Sequence, residues 1–269
     1  MSAPVFVVEP ALLAGAGPGT RVSVEGDEAR HALRVRRLAP GEPVDLVDGL
    51  GRRARAVVAP HDDSHDDSHD DLRHERHRLQ VEVLSVVDEP SPTPRVVVVQ
   101  AIPKGDRAEL AVELMTEVGV DVVVPWAAAR CVAVWRGEKE RRGPERWRAA
   151  AREAGKQSRR ARFPEVRDLA RASDVVGLVG AADVALVLHE SAADGIDAVE
   201  LPDGGDIVLV VGPEGGLTED EVHALTAAGA RAVRLGPTVL RSSTAGCVAA
   251  AVILARTGRW AIAAPTIDA

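Results

Sequence analysis

The stretch IVLVVGPEGGLTEDE, residues 207–221, decides the fold. Ile207–Val211 is short and wholly apolar, as a strand buried on both faces of a sheet must be. It runs into the turn Gly212-Pro213-Glu214-Gly215-Gly216. Thr218 followed by Glu221 is a capping box, which opens a helix, and Gly229 should stop it. Ala232–Leu235 reads as the next strand and Gly236 to Ser243 as a second turn. Thr244–Arg256 reads as a helix of small and apolar residues ending at Gly258. Two loops therefore follow the carboxyl ends of adjacent strands, the edge at which open α/β sheets bind ligands.

The kind of ligand follows from the first loop. A phosphate cradle wants bare N–H groups and a Lys, without fixed negative charge. Here Glu214 stands in the middle and no Lys is present. A carboxylate there repels a pyrophosphate and suits hydroxyls, an amine or a cationic ligand. Taken alone, the turn reads better as a tight bend whose glycines supply positive φ. The second loop beside it favours a site.

Upstream, strands alternate with helices. Val96–Ala101, Asp121–Pro125 and Val184–Leu188 are further buried strands, the last ending in His189-Glu190. Lys104-Gly105-Asp106-Arg107 leads into a helix with Asp106 as N-cap, an apolar face of Leu110, Leu114 and Val118, and Gly119 at its end. Pro144 to Lys156 is helical, with Trp147, Ala150, Ala151 and Ala154 on one side. The pattern predicts a mainly parallel sheet with helices on both faces over 96–269. Ala154-Gly155-Lys156-Gln157 is not a P-loop, because its first Gly is missing and Gln stands where Ser or Thr binds magnesium.

Residues 1–88 read as a second, all-β domain, a small barrel. Val5–Val8, Arg21–Val24, Pro43–Val47, Arg53–Val58 and Leu79–Val87 are short and Val-rich with turns between them. Glu28 to Leu38 is a short helix within it. Residues 61–71, HDDSHDDSHDD, are a polar low-complexity repeat, expected to be a disordered insertion. Residues 89–95 carry proline at alternate positions and form a stiff linker.

Composition sets limits. Of 269 residues, 46% are hydrophobic but only 2% aromatic, so the core is aliphatic. No run is long and apolar enough for a transmembrane helix, and no signal peptide is evident. A cytoplasmic protein is expected. Cys131 and Cys247 read as reduced packing residues, and no metal site is expected. Net charge is −8, which argues against a nucleic-acid partner. Its distribution argues the other way. From Arg130 to Arg162 there are twelve Lys or Arg against four Glu. Such a patch is either an electrostatic footprint for nucleic acid or a solvated helical face.

The pair VVGPEGGL (210–217) and LGPTVLRSSTA (235–245) resembles the signature of the SPOUT methyltransferases. Lys104–Arg107, Glu117-Val118-Gly119-Val120 and Gln157-Ser158-Arg159-Arg160 resemble boxes of one bacterial family within it, the RsmE-type enzymes that methylate N3 of a uridine in 16S ribosomal RNA. His31 and the arginines after it resemble a segment of that family's N-terminal PUA-like barrel. The resemblance implies a C-terminal trefoil knot that holds S-adenosyl-L-methionine, a homodimer, and 16S rRNA or the small ribosomal subunit as partner. It places Leu188, His189, Gly212, Glu214, Gly215, Gly216, Leu235, Gly236 and Leu240 at the cofactor. Arg34, Arg36, Arg37, Lys104, Arg107, Arg159, Arg160 and Arg162 are the candidates for RNA phosphates.

Arg241 is the candidate catalytic residue. A guanidinium is always charged and can stabilise negative charge spreading over a uracil ring as its N3 proton leaves. The alternative is a salt bridge from Arg241 to Glu214 that joins the two loops. The family commonly has Glu where this chain has Ser243, so no carboxylate base stands there. Ser243 or Thr244 could hydrogen-bond the base instead or cap the last helix, and the capping role is the one expected. His189 alone reads as structural or as part of the site. Three rival functions stay open at this point: a SPOUT methyltransferase acting on another RNA such as a tRNA 2′-hydroxyl, a non-catalytic RNA-binding protein of the same fold, and a nucleotide-dependent enzyme.

Overall fold

A computed structural model describes residues 3–60 and 78–261. The His/Asp repeat at 61–71 lies outside the described residues. The chain divides into two compact units: Met1–Ser91 with Gly155–Phe163, and Pro92–Ala154 with Pro164–Ala269.

The first unit is a mixed five-stranded sheet of β1 (Val5–Val7), β2 (Arg21–Val24), β3 (Pro43–Val47), β4 (Arg52–Val58) and β5 (Leu79–Asp88), ordered β1-β3-β4-β5-β2. Only β1 and β3 run parallel among these pairs. Alternation sends Phe6, Leu46, Leu79 and Val81 to one core, with Leu13 of the short helix α1 (Pro10–Leu13). Val5, Val7 and Val47 face the other way and are covered by Ala161 and Phe163. The helix expected over 28–38 is α2 (Gly26–Arg30) running into a π-helical turn, His31–Val35. Arg37 then takes a left-handed φ of 54°. Lys156 Nζ and Glu28 Oε1 form a largely buried ion pair, 2.8 Å apart, that ties the 155–163 segment to α2.

The second unit is the parallel sheet that the apolar runs require. Its strands are β6 (Arg95–Ala101), β7 (Val122–Trp126), β8 (Glu165–Val166), β9 (Val184–Leu188), β10 (Asp206–Val211) and β11 (Arg231–Val233), in the order β11-β9-β10-β6-β7-β8. Every pairing is parallel. Period-2 alternation feeds two cores. Val96, Val98, Ile207 and Leu209 face α3 (Arg107–Val118), α4 (Glu138–Gln157) and α7 (Ser242–Arg256). Val97, Val99, Val208 and Val210 face α5 (Ala172–Ala181) and α6 (Glu219–Ala227). Among the described residues no helix is long and apolar enough to cross a membrane.

Two local expectations are corrected. Of the face expected on α3, Val118 packs against the core and Leu114 is half-buried, but Leu110 is 42% exposed and the fully buried side is Ala108, Ala111, Val112 and Met115. Its partner is α7, whose small residues bring the two helices close, so small side chains and not the large ones mark the contact. Asp106 occupies the N-cap position but its side chain makes no capping bond, because its backbone is already helical at φ −67° and ψ −4°.

Arg95 and Asp206 clamp the first residues of β6 and β10 with hydrogen bonds of 2.8 and 2.6 Å. The hydrogen bond from Arg95 holds the Asp206 carboxyl below its ordinary value of 3.8, against a smaller opposing effect of burial. A depressed native pKa contributes stability that is complete above the unfolded value and is lost as pH falls through the native one. Asp206→Asn is therefore expected to lower stability at neutral pH and to flatten its decline below pH ~4. Urea titrations at stepped acid pH check this.

Candidate active site

All strands of the second unit run the same way, so the segments after β9, β10 and β11 emerge at one edge. They enclose a cleft of about 620 Å³ with the first turn of α7. Residues 188–190, 211–217 and 234–242 line it, joined by Arg130 and Ala245.

The first loop is held from three sides. The capping box forms as its residues require: Glu221 N–H donates to Thr218 Oγ1 at 3.1 Å and Thr218 N–H to Glu221 Oε2 at 2.8 Å. The other carboxylate oxygen of Glu221 accepts from Ala129 N–H at 2.8 Å. Arg130 Nη1 donates to the carbonyls of Gly215 (3.3 Å) and Leu217 (3.2 Å). A Cβ on Gly215 would lie 3.1 Å from Arg130 Cβ and 3.2 Å from Arg130 O, so any side chain there would push the two segments slightly apart. Glu214 Oε1 accepts the backbone N–H of Lys104 at 3.2 Å, which ties the Lys104–Arg107 turn to this loop.

The second loop is pinned by Leu235 and Leu240, which pack against the core. Gly236 has φ +145° and open space where a side chain would point. Arg241 is the N-cap of α7, and its carbonyl accepts the N–H groups of Thr244 and Ala245, both at 2.9 Å. Its side chain is exposed and, among the described residues, makes no hydrogen bond or ion pair. The salt bridge to Glu214 is therefore absent, since Glu214 is turned to Lys104. Nor does Ser243 or Thr244 cap α7. Ser243 is buried at 3% exposure, and Thr244 Oγ1 donates back to the Arg241 carbonyl at 3.1 Å.

His189 continues the β9 ladder through its N–H to Val233 O at 2.9 Å. Its Nδ1 accepts from Ser191 N–H at 3.3 Å. In the neutral ring the proton is then on Nε2. Among the described residues, the N–H groups of Glu214, Gly215, Thr238, Val239 and Leu240 donate to nothing in the protein. A cleft of this size with convergent unpaired donors is the architecture of a small-molecule site.

Comparison with known proteins gives the family. The model of an RNA methyltransferase domain matches residues 89–254, and that of an RNA methyltransferase PUA domain matches residues 24–63. The chain belongs to the RNA methyltransferase family. The "Ribosomal RNA small subunit methyltransferase E" of Mycobacterium bovis is 46% identical over 246 residues, covering 90% of this chain and 89% of that one. The Bacillus subtilis protein of the same name is 28% identical, covering 86% and 88%. Among solved structures, a ribosomal RNA small subunit methyltransferase E from Neisseria gonorrhoeae, bound to S-adenosyl methionine, superposes with a TM-score of 0.79. It is 27% identical and covers 95% and 98% of the two chains.

In this RNA methyltransferase, all nine candidate cofactor residues and Arg241 line the one cleft. Sequence reasoning missed Arg130, Arg234 and Ser242, which also line it. Arg130 carries no local signal, because its partners lie more than eighty residues away. Gln100 was missed too, although a polar residue inside the apolar run 96–101 is itself a signal. The candidate RNA contacts divide between the units. Arg34, Arg36, Arg37 and Arg159 are exposed on the first, and Lys104 and Arg107 on the second. Arg160 and Arg162 are half-buried and bonded within the first unit. Arg160 Nε donates to Arg162 O at 2.8 Å, and Arg162 Nη2 to Glu89 O at 3.0 Å. Cys131 and Cys247 are free, and burial pushes both thiols up. Among the described residues no group of three or more His, Cys, Asp or Glu is placed to hold a metal.

Proposed function

We propose that this protein transfers a methyl group from S-adenosyl-L-methionine to N3 of a uridine in 16S rRNA. The observation that carries the reading is the cleft: the two signature loops converge on it with unpaired N–H donors, a carboxylate and no phosphate-binding lysine. The 46% identity with a small-subunit rRNA methyltransferase supports the target. The residues present fit S-adenosyl-L-methionine, which has hydroxyls, an amino acid end and a positive centre but no phosphate. The free N–H groups of Glu214, Gly215 and Thr238–Leu240 suit its acceptors. Leu188, Leu235 and Leu240 supply apolar walls, and Glu190 and Glu214 offset positive charge. When bound, the group supplies an electrophilic methyl.

The chain's own part is to hold the uracil and to manage its proton. Arg241, unpaired at the cleft among the described residues, stabilises the charge that spreads to O2 and O4 as the N3 proton passes to solvent water and frees the N3 lone pair for the methyl group. Ser243, buried, leaves no carboxylate at that turn to act as base. The exposed arginines of the first unit and Lys104 and Arg107 of the second take phosphates. The same reading includes a trefoil knot formed by the C-terminal strands and loops, a homodimer with RNA placed across both subunits, and a cytoplasmic location.

Nucleoside mass spectrometry of 16S rRNA, from cells with and without the gene, tests the reaction. Loss of 3-methyluridine on deletion is expected, with recovery on complementation. Unchanged 3-methyluridine overturns the assignment, and a change in another methylated nucleoside redirects it to that RNA position.

A further inference from the structure

Gln100 is the last polar group one would place in the middle of a parallel sheet. It sits on β6, between Val211 of β10 and Pro125 of β7, and is 0% exposed. Its Nε2 donates to Ala101 O at 2.9 Å and to Ser242 Oγ at 3.1 Å. Ser242 Oγ in turn donates to Gly212 O at 2.8 Å. The directions are fixed, since the carbonyl only accepts and the hydroxyl proton is spent on it. The chain of bonds therefore runs from a buried amide, through the first residue of α7, to the first residue of the β10 loop. Gly212 and Ser242 both line the cleft.

Gln100 Oε1 is buried and, among the described residues, has no donor. A buried acceptor left unpaired is unfavourable, and an apolar side chain would avoid it. What the amide supplies in return is the bond to Ser242. The packing leaves room for it: a Cβ on Gly246 would stand 3.2 Å from Gln100 Oε1, Met115 Sδ and Val98 Cγ1. The bare face of α7 is what lets the side chain lie there.

We infer that Gln100 and Ser242 are positioning residues that lock the two cofactor loops to each other and to the sheet. Neither acts on the methyl group. Gln100 acts through Ser242, and Ser242 acts by orienting the Gly212 peptide. The inference rests on the cofactor reading above, so the test separates the two. Calorimetry with S-adenosyl-L-methionine is run on the wild type, Ser242→Ala, Ser242→Thr, Gln100→Met and the double variant Gln100→Met/Ser242→Ala. Amide hydrogen exchange of residues 212–217 is measured on the same proteins without cofactor.

Ser242→Ala is expected to weaken binding roughly tenfold and to speed exchange across 212–217, with Ser242→Thr restoring both. Gln100→Met should weaken binding less, and should add nothing further to binding in the Ser242→Ala background. Wild-type affinity in Ser242→Ala, or effects of the two variants that multiply, overturns the relay. A wild type that does not bind the cofactor overturns the functional reading instead, while the exchange data still decide whether the loops are locked.

Discussion

Arg241→Ala is expected to lower kcat for methyl transfer by about 10²- to 10³-fold, the loss seen when one preorganised charge-stabilising group is removed. Cofactor affinity should change little. The backbone at Arg241 is extended, at φ −67° and ψ 148°, a conformation open to alanine. Its structural work is done by the carbonyl, which accepts from Thr244 and Ala245 and survives the substitution. The guanidinium holds no other residue among those described, so its removal leaves no buried partner stranded. Single-turnover methylation of rRNA, alongside calorimetry with S-adenosyl-L-methionine, checks the split. Equal losses in rate and cofactor affinity would move Arg241 from charge stabilisation to cofactor binding. Arg241→Lys keeps the charge but not the planar fork. An intermediate rate is expected from it, because an ammonium keeps the charge beside the carbonyl oxygen but loses the planar, multi-donor hydrogen bonding of the guanidinium.

How legible the molecule was depends on the range of the physics involved. The strands of the parallel sheet announce themselves, because a strand buried on both faces must be a nearly continuous apolar run: Val96–Val99 and Ile207–Val211 allow little else. The loops were legible for the same reason, since Gly212, Gly216 and Gly236 interrupt such runs just past the strand ends. Local side-chain chemistry was partly legible. The Thr218 and Glu221 capping box formed, whereas Asp106 and Thr244 had the right residue types but their oxygens went unused or elsewhere. Contacts across the chain were not legible. Gln100 meets Ser242 across 142 residues, and nothing near either names the other. The face of α3 misled because large apolar residues usually mark a buried side. Here close approach to α7 selects Ala108 and Ala111, and Leu110 is left in solvent. The association of Ala161 and Phe163 with Val5, Val7 and Val47 likewise has no sequence signal, being a fit of shapes.

Asp121→Ala is expected to destabilise the second unit by about 3–5 kcal/mol, the typical effect of removing one partner from a buried ion pair. Asp121 is 7% exposed and stands immediately before β7. Its carboxylate accepts Val96 N–H at 2.8 Å, Arg259 Nη2 at 3.1 Å and Arg259 Nη1. Its backbone joins β6 and β8, through Asp121 N–H to Val96 O and Glu165 N–H to Asp121 O. Arg259 also reaches Pro94 O at 3.2 Å, so the pair fastens the chain just after α7 to the entry of the central strand. Alanine would strand a largely buried guanidinium and one backbone donor together. Asp121→Asn keeps an acceptor for Val96 and should lose less. Asp121→Ala/Arg259→Ala removes the stranded charge, and should be more stable than the sum of the two single losses implies. Urea unfolding of the wild type, the three single variants Asp121→Ala, Asp121→Asn and Arg259→Ala, and the double variant measures this, and thermal unfolding should show a fall in Tm of roughly 10 °C for Asp121→Ala. Strict additivity would mean that the two side chains act separately. The consequence reaches the cleft, because α7 begins there at Ser242, and Arg256 fixes its far end through Ile196 O and Val199 O. A helix anchored in its last turn by Arg256 and just beyond it by Arg259 cannot slide along the sheet, and its first turn is thereby kept against the Gly212 loop.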